Sequence, residues 1–302
     1  MSLVINNNMM AANTARNLNA HYSNLATSTQ RLSTGLRVNS AADDAAGLAI
    51  RELQRADIAA LHQGARNAND AISMIQTADG AMGVIDEKLI RLKELAEQAA
   101  TGTYDSTQRL MIESEYQAMA SEITRIANAT DFNGIHLLHG TLSGEHDGSG
   151  KSAADGISST GKMKIHFGTG NESAEDYYYI TIGSVTASSL GVGNQADPKA
   201  AGYTVSTQEA AQKALNAINE AIISKDKIRA HLGAMQNRLE NTITNLNVQA
   251  ENLQAAESRI SDVDVATEMT QFVRNQILTQ SAVAMLGQAN SLPQMAMQLI
   301  GG

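Results

Sequence analysis

From Val263 to Gly302 the chain loses its charge, and after Arg274 it holds no Asp, Glu, Lys, Arg or His. Within this tail Leu278, Ala282, Met285, Ala289, Leu292, Ala296 and Leu299 recur at alternating steps of four and three, the spacing of a coiled-coil seam. Ile277, Val283, Ala284, Leu286, Met295, Met297 and Ile300 fall off that seam. The predicted helix is therefore apolar on more than one face and must be buried. Gln276, Gln280, Gln288, Asn290, Gln294 and Gln298 interrupt the apolar run before it reaches the roughly 18 residues of a membrane span, so no membrane insertion is expected. At about 1.5 Å per residue the helix is also too long for one small domain to bury alone. Its cover must come from other chains or from another long helix.

The N-terminal arm has the same pattern. Ala11, Ala15, Leu18, Tyr22, Leu25, Thr29, Leu32 and Leu36 step by four and three, and Arg16, Arg31 and Arg37 are the only Asp, Glu, Lys or Arg before residue 43. A helix over residues 8–36 would be about 43 Å long, close enough to the tail for the two ends to pair side by side. Ser40 and Asp43 have the spacing of a helix cap, with Asp44 adding favourable charge at the start of the next helix. One seam then runs through Ile58, Leu61, Ala65, Ala68, Ile72 and Ile75 and a second through Ala78, Met82, Ile85, Leu89, Leu92, Ala96 and Ala99. The phase slips between Ile75 and Met82.

Gly102 stops that helix and Asp105 or Ser106 caps the next, whose seam is Ile112, Tyr116, Met119, Ile123 and Ile126. Asn133-Gly134 is a hairpin signal. "KMKIHFG" and "YYYITIG" read as strands, and residues 140–161 as a Gly/Ser-rich solvated loop. Ser206 and Glu209 have capping-box spacing. From Leu232 an unbroken seam through Leu239, Leu246, Gln249, Leu253 and Ile260 leads into the tail. The expected fold is mainly α, a long antiparallel coiled-coil helical hairpin or bundle with a small β-rich region at the end distant from the termini.

Composition narrows the function. Three Phe, seven Tyr and no Trp in 302 residues suit long helices meeting over small side chains better than a compact globule. A net charge of −9 argues against general nucleic-acid binding, which needs a basic patch. With no cysteine there is no disulfide, thiol nucleophile or Cys-ligated zinc. The N-terminus has no basic stretch followed by an apolar block, so no cleaved secretory signal is expected. The segment "GEHDGSGKS" invites a phosphate-loop reading, but five residues rather than four separate Gly144 from Gly150 and no helical pattern follows. His136, His139 and His146 with Glu145 and Asp147 lack metal-site spacing and read as surface residues. No catalytic, cofactor or metal residue is assigned, and an enzyme is not expected. Two charge-poor arms that one chain cannot fully bury point instead to self-assembly, with an open helical polymer unless the rotation closes a ring. The assembly seam is assigned to Leu18, Tyr22, Leu25, Leu32, Leu36, Leu278, Met285, Leu292 and Leu299. The arms, residues 1–43 and 262–302, are expected to be disordered in the free monomer and to fold on docking.

Several stretches closely resemble bacterial flagellin: "RLSTGLRVNSAADDAAGLAI", "ARNANDAISMIQTADGAM", "LKELAEQAATGTY", "DFNGIHLL", "LGAMQNRLENTITNL", "AESRISDVDVATEM" and "ILTQSAVAMLGQAN". The resemblance covers residues 1–139 and 205–302. It implies an inner coiled-coil domain from residues 1–43 and 262–302 and an outer helical domain from residues 44–261. The family's variable region would be reduced to the loops 140–161 and 193–204. It further implies the extracellular structural subunit of a motility filament, exported through the flagellar type III route. The partners implied are other copies of the chain, an export chaperone, a cap and hook-junction proteins. A vertebrate Toll-like receptor is a further family ligand, and Arg91, Leu95 and Glu115 match positions of that contact. Ile90 and Met119 stand where stimulatory members carry polar or charged side chains. A hook–filament junction protein is the alternative function, because it can share the same terminal arms.

Overall fold

The computed structural model describes residues 8–142, 162–172, 175–193 and 202–300, without the side chains of Leu292 and residues 296–300. The "GEHDGSGKS" segment and His146 lie outside the described residues. The described chain is mainly helical: α1 (Met9–Thr34), α2 (Ala45–Ala100), α3 (Ser106–Ala129), α4 (Ala187–Leu190), α5 (Gln208–Ser261) and α6 (Val265–Ile300). Two small antiparallel ribbons join them, β1 (Asp131–Phe132) with β2 (Ile135–His136) and β3 (Met163–His166) with β4 (Tyr177–Ile180). The chain divides into two compact units, Met1–Ile58 with Glu251–Gly302, and Ala59–Ala250.

In the first unit, α1 and α6 pack against each other. The Asn8 side chain caps α1 by accepting from the Ala11 N–H at 3.0 Å. Its amide also donates to the Ala289 carbonyl of α6 at 2.7 Å. That carbonyl is available because Pro293, inside α6, has no N–H to offer the residue four before it. One side chain thus satisfies both a helix start and the gap left by a proline. Gly35 ends α1 at φ 73°, the left-handed conformation that glycine adopts without a Cβ penalty. Beyond it the two breaks in the chain hold each other. Leu36 and Asp262 form an isolated antiparallel bridge; Arg37 N–H donates to Ser261 at 2.6 Å and Val263 N–H to Gly35 at 3.0 Å. The Arg51 guanidinium, itself buried, donates to the Val38 carbonyl at 2.8 Å.

In the second unit the seams predicted for α2 and α3 form the core. Met82, Ile85, Leu89 and Leu92 of α2 pack with Tyr116 and Ile123 of α3, with Leu137, Leu138, Ile180 and Ile182 between the elements, and with Ile218, Leu232 and Leu239 of α5. Burial pushes the Tyr116 phenol well above its usual pKa, and its hydroxyl donates to the Gly202 carbonyl at 2.8 Å. Gly64 lies so close to the Phe167 backbone that a Cβ would sit 2.0 Å from its carbonyl oxygen, so only glycine fits. The β1–β2 turn is Asn133-Gly134 with both φ angles positive, 52° and 80°, as the dipeptide predicts. Two ion pairs set α2 antiparallel to α5. Asp79 accepts from Arg229 at 2.7 Å, and Asp86 from Lys225 at 2.6 Å. Lys225 is 1% exposed and also meets Asp226 at 2.8 Å.

Several local expectations shift by a residue or a turn. Asp44, not Ser40, caps α2, accepting from Gly47 N–H at 2.8 Å, while the Asp43 carboxylate binds Ser40 in the preceding turn. Thr207, not Ser206, caps α5 through the Ala210 N–H. Asp105 precedes α3, and the Gln108 side chain accepts from its N–H. In α2, Ala71 is buried rather than Ile72, so the phase slip falls about two turns earlier than predicted. In α5, Ala250 is buried and Gln249 exposed. The seam is also not continuous into the tail. The helix ends at Ser261 and restarts after Asp264, whose carboxylate accepts from the Ala266 and Thr267 N–H groups. The Thr267 hydroxyl, with those backbone donors, holds the Asp264 pKa below the usual carboxylate range. The arms expected to lack order are helices over the described residues 9–34 and 265–300.

Two stability outcomes follow. Asn8→Ala should cost the α1–α6 pair about 1–2 kcal/mol, from a lost cap and an orphaned carbonyl. In a Pro293→Ala background, where the helix supplies its own N–H, the cost should fall toward the cap alone, as a double-mutant cycle read by amide exchange in α1 would measure. Lys225→Ala should destabilise the second unit by about 3 kcal/mol in urea unfolding, because two carboxylates lose a buried partner, with Lys225→Met less damaging through retained packing.

Candidate self-assembly surface

The helix pair α1–α6 buries an unusual stripe. Along α6 the least exposed positions are Glu268, Phe272, Asn275, Thr279, Ala282, Leu286, Ala289 and Pro293, an alternation of four and three. Opposite them on α1 lie Thr14, Leu18, His21, Leu25, Ser28 and Leu32. Every second position of this seam on α1 is polar: Thr14, His21 and Ser28. Three positions on α6 are polar as well. Thr279 turns its hydroxyl back onto the Asn275 carbonyl at 2.7 Å. Burying such groups brings little of the roughly 1.5–3 kcal/mol that a large apolar side chain gains when fully covered. The seam within one chain is therefore narrow, small and half polar.

Apart from Phe272 and Leu286, the large apolar side chains described on α6 stay outside it. Leu278 is 38% exposed and Met285 58%. These two, with Leu292 and Leu299, recur every seven residues, so they form one row beside the intrachain seam. Of the four, the described side chains are Leu278 and Met285. Met269 and Val283 flank the seam on its other side, and Val273 and Ile277 lie on the back of the helix; all four are exposed. On α1, Leu18, Leu25 and Leu32 are half-buried and Tyr22 is exposed; Leu36, just past the helix, is half-buried too. The sequence-assigned seam thus separates into two sets. The α1 leucines face α6, whereas Tyr22, Leu278 and Met285 face outward. Sequence reading found Leu18, Leu25, Leu32, Ala282 and Ala289 of the intrachain stripe but not its polar members, which periodicity of apolar residues passes over. It also left Met269 and Val273 unassigned, whose signal is their place on a helix that is apolar all round.

The other assigned residues lie in the second unit. Arg91 donates to Glu115 at 2.9 and 2.7 Å and to Glu94 at 2.9 Å. These carboxylates raise its pKa above the usual guanidinium value, Glu115 foremost. Arg91 and Glu115 are both exposed. Leu95, one turn from Arg91, is 1% exposed and belongs to the core, so its side chain offers no surface and instead packs beneath the ion pair's helix. Ile90 is exposed and Met119 half-buried. His136 is half-buried in β2 and His139 exposed. Among the described residues no group of three or more His, Cys, Asp or Glu is placed to hold a metal ion, and no helix is long and apolar enough to cross a membrane.

Exposed apolar side chains along α6, with Tyr22 on its partner α1, form a surface for further helices. Comparison with known proteins agrees with that architecture. A model of the bacterial flagellin N-terminal helical region matches residues 5–143, and one of the flagellin C-terminal helical region matches residues 215–300. The chain is 40% identical over 298 residues to the flagellar filament 33 kDa core protein of Treponema phagedenis, covering 99% of this chain and 100% of that one. It is 40% identical over 312 residues to flagellin of Bacillus subtilis, covering 98% and 99%. Among solved structures it is similar to one described as a flagellar hook-associated protein from Vibrio parahaemolyticus, with TM-score 0.55 and 15% identity over 73% of this chain and 100% of that one; that likeness concerns the fold alone. The two helical-region matches and the full-length identity place this chain in the bacterial flagellin family.

Proposed function

We infer that this flagellin is the structural subunit of a bacterial flagellar filament, built by stacking copies through the terminal helices. The observation that carries the reading is the row of exposed large apolar side chains on α6, Leu278 and Met285 among them, beside an intrachain seam too polar to hold α1 and α6 firmly. Each copy that docks covers that row and gains the apolar burial that one chain lacks. Residues 1–43 and 262–302 form the inner coiled-coil domain and residues 44–261 the outer domain, with the loops 140–161 and 193–204 as a reduced variable region. The break at Asp262–Asp264 supports the second of those boundaries.

The remaining partners follow from the same reading. A chaperone covers the apolar tail before export, a cap retains subunits at the growing tip, and hook-junction proteins meet the base. The filament works outside the cell, and the chain reaches it through the flagellar export channel. Its role is structural rather than enzymatic. Receptor contact uses the exposed Arg91–Glu115 pair, with Leu95 acting through helix packing. The competing role, a hook–filament junction subunit, is favoured less: full-length identity to filament proteins stands at 40% against 15% to the hook-associated fold.

Electron microscopy of purified protein grown from short filament seeds tests the inference. Intact chain should form long filaments, and chain lacking residues 263–302 should not. Leu278→Asp and Met285→Asp should also stop growth while leaving the monomer's circular dichroism and melting temperature within experimental error, because both side chains are exposed in the single chain. Normal filaments from either aspartate variant would refute the assigned surface.

A further inference from the structure

One feature of the arms is not apolar at all. Between α1 and α6 lies a pocket of about 380 Å³ lined by polar side chains, among them Ser28, Arg31, Glu268, Arg274 and Asn275. Glu268 is only 6% exposed. Its Oε1 has no hydrogen-bond partner among the described residues, and neither has Arg31 Nε. The two side chains approach at 3.7 Å, Arg31 Nη1 to Glu268 Oε2, beyond hydrogen-bond length. Arg31 also has Asp43 at 3.9 Å. The local charges therefore balance: Arg31 and Arg274 against Glu268 and Asp43. What the walls of this pocket require is a group that donates to a carboxylate and accepts from a guanidinium while carrying no charge.

We propose that this pocket receives a carboxamide side chain from the tail helix of a second copy. A glutamine or asparagine amide is one planar group with an N–H₂ donor and a carbonyl acceptor, so it can pair with both side chains once they turn Glu268 Oε1 and Arg31 Nε, closed to solvent in the single chain, toward the pocket. A lysine or arginine would meet the carboxylate but repel Arg31, and an aspartate or glutamate would do the reverse. The tail is suited to supply the amide. After Arg274 it has no charged residue, and Gln276, Gln280, Gln288 and Gln294 are exposed on it. The consequence is registry. An apolar row alone permits sliding between copies, whereas a buried polar pairing is satisfied in one alignment and lost in its neighbours. The proposal rests on the filament reading and adds how copies find a single axial position.

The absence of cysteine gives a clean background for the test. Full-length Thr27→Cys, at the pocket wall, is mixed in turn with Gln276→Cys, Gln280→Cys, Gln288→Cys and Gln294→Cys, grown on wild-type seeds and oxidised. Since the two cysteines are on different chains, any disulfide is between copies. One of the four pairings should crosslink in filaments and not in dilute monomer. In parallel, Glu268→Leu should slow seeded elongation at least tenfold while its monomer keeps wild-type circular dichroism. Wild-type filaments that form normally while no pairing crosslinks would overturn the proposal and leave the filament reading intact. Failure of the wild-type chain to polymerise at all would overturn both.

Discussion

The constraint on which this molecule depends is geometric: α6 carries large apolar side chains on more than one face, and α1 can cover only one side of it. A helix in that condition has two ways to avoid water, a membrane or more helices. The glutamines spaced through α6 close the first route, and the length of the helix makes a single-chain core insufficient. The remaining apolar surface has to be met by copies of the same chain. A patch on one copy that meets a different patch on the next propagates along a screw axis, which is the arrangement a filament needs.

The two units divide the work in physical terms. The second is held by a continuous core of α2, α3 and α5 side chains and by the Asp79–Arg229 and Asp86–Lys225 pairs, all within one chain, so it is stable before assembly. The first is held by a seam in which Ser28, Thr279 and Glu268 are buried polar positions, and by the Asn8 link to the Ala289 carbonyl. That seam sets the direction and register of α1 against α6 while leaving Leu278 and Met285 outside it. Had Leu278 and Met285 been turned inward, the monomer would gain stability and lose its means of association.

The long helices were legible because a heptad is a repeated signal: a wrong assignment at one position is outvoted by its neighbours. Hence Met82, Ile85, Leu89 and Leu92 stand where their spacing put them. Caps were less legible, since one residue's hydrogen bond decides each. Ser40 and Ser206 have capping chemistry, but the backbone turns at Asp44 and Thr207. The pairing face of α6 was hidden for a deeper reason. Hydrophobic periodicity finds where large side chains recur, and in α6 Leu278 and Met285 mark the outward row while the seam mixes Phe272 and Leu286 with small and polar residues. Leu95 shows the limit of reasoning by motif position: Arg91 and Glu115 meet on the surface, and the leucine between them in sequence points to the core. The role of Asn8 could have been suspected from Pro293, which must leave a carbonyl free one turn earlier, but sequence alone does not say what reaches it.

The methionines offer the most direct measurement of the central claim. Met285 and Met295 lie exposed on α6, whereas Met74 and Met82 are buried in the second unit. Thioether oxidation by peroxide, followed by mass spectrometry, reports solvent access at each. Met285 and Met295 should oxidise readily in dilute monomer and be protected in the polymer, with Met74 and Met82 slow in both. Equal oxidation of Met285 in monomer and polymer would show that other copies do not cover this face of α6, and would contradict the account.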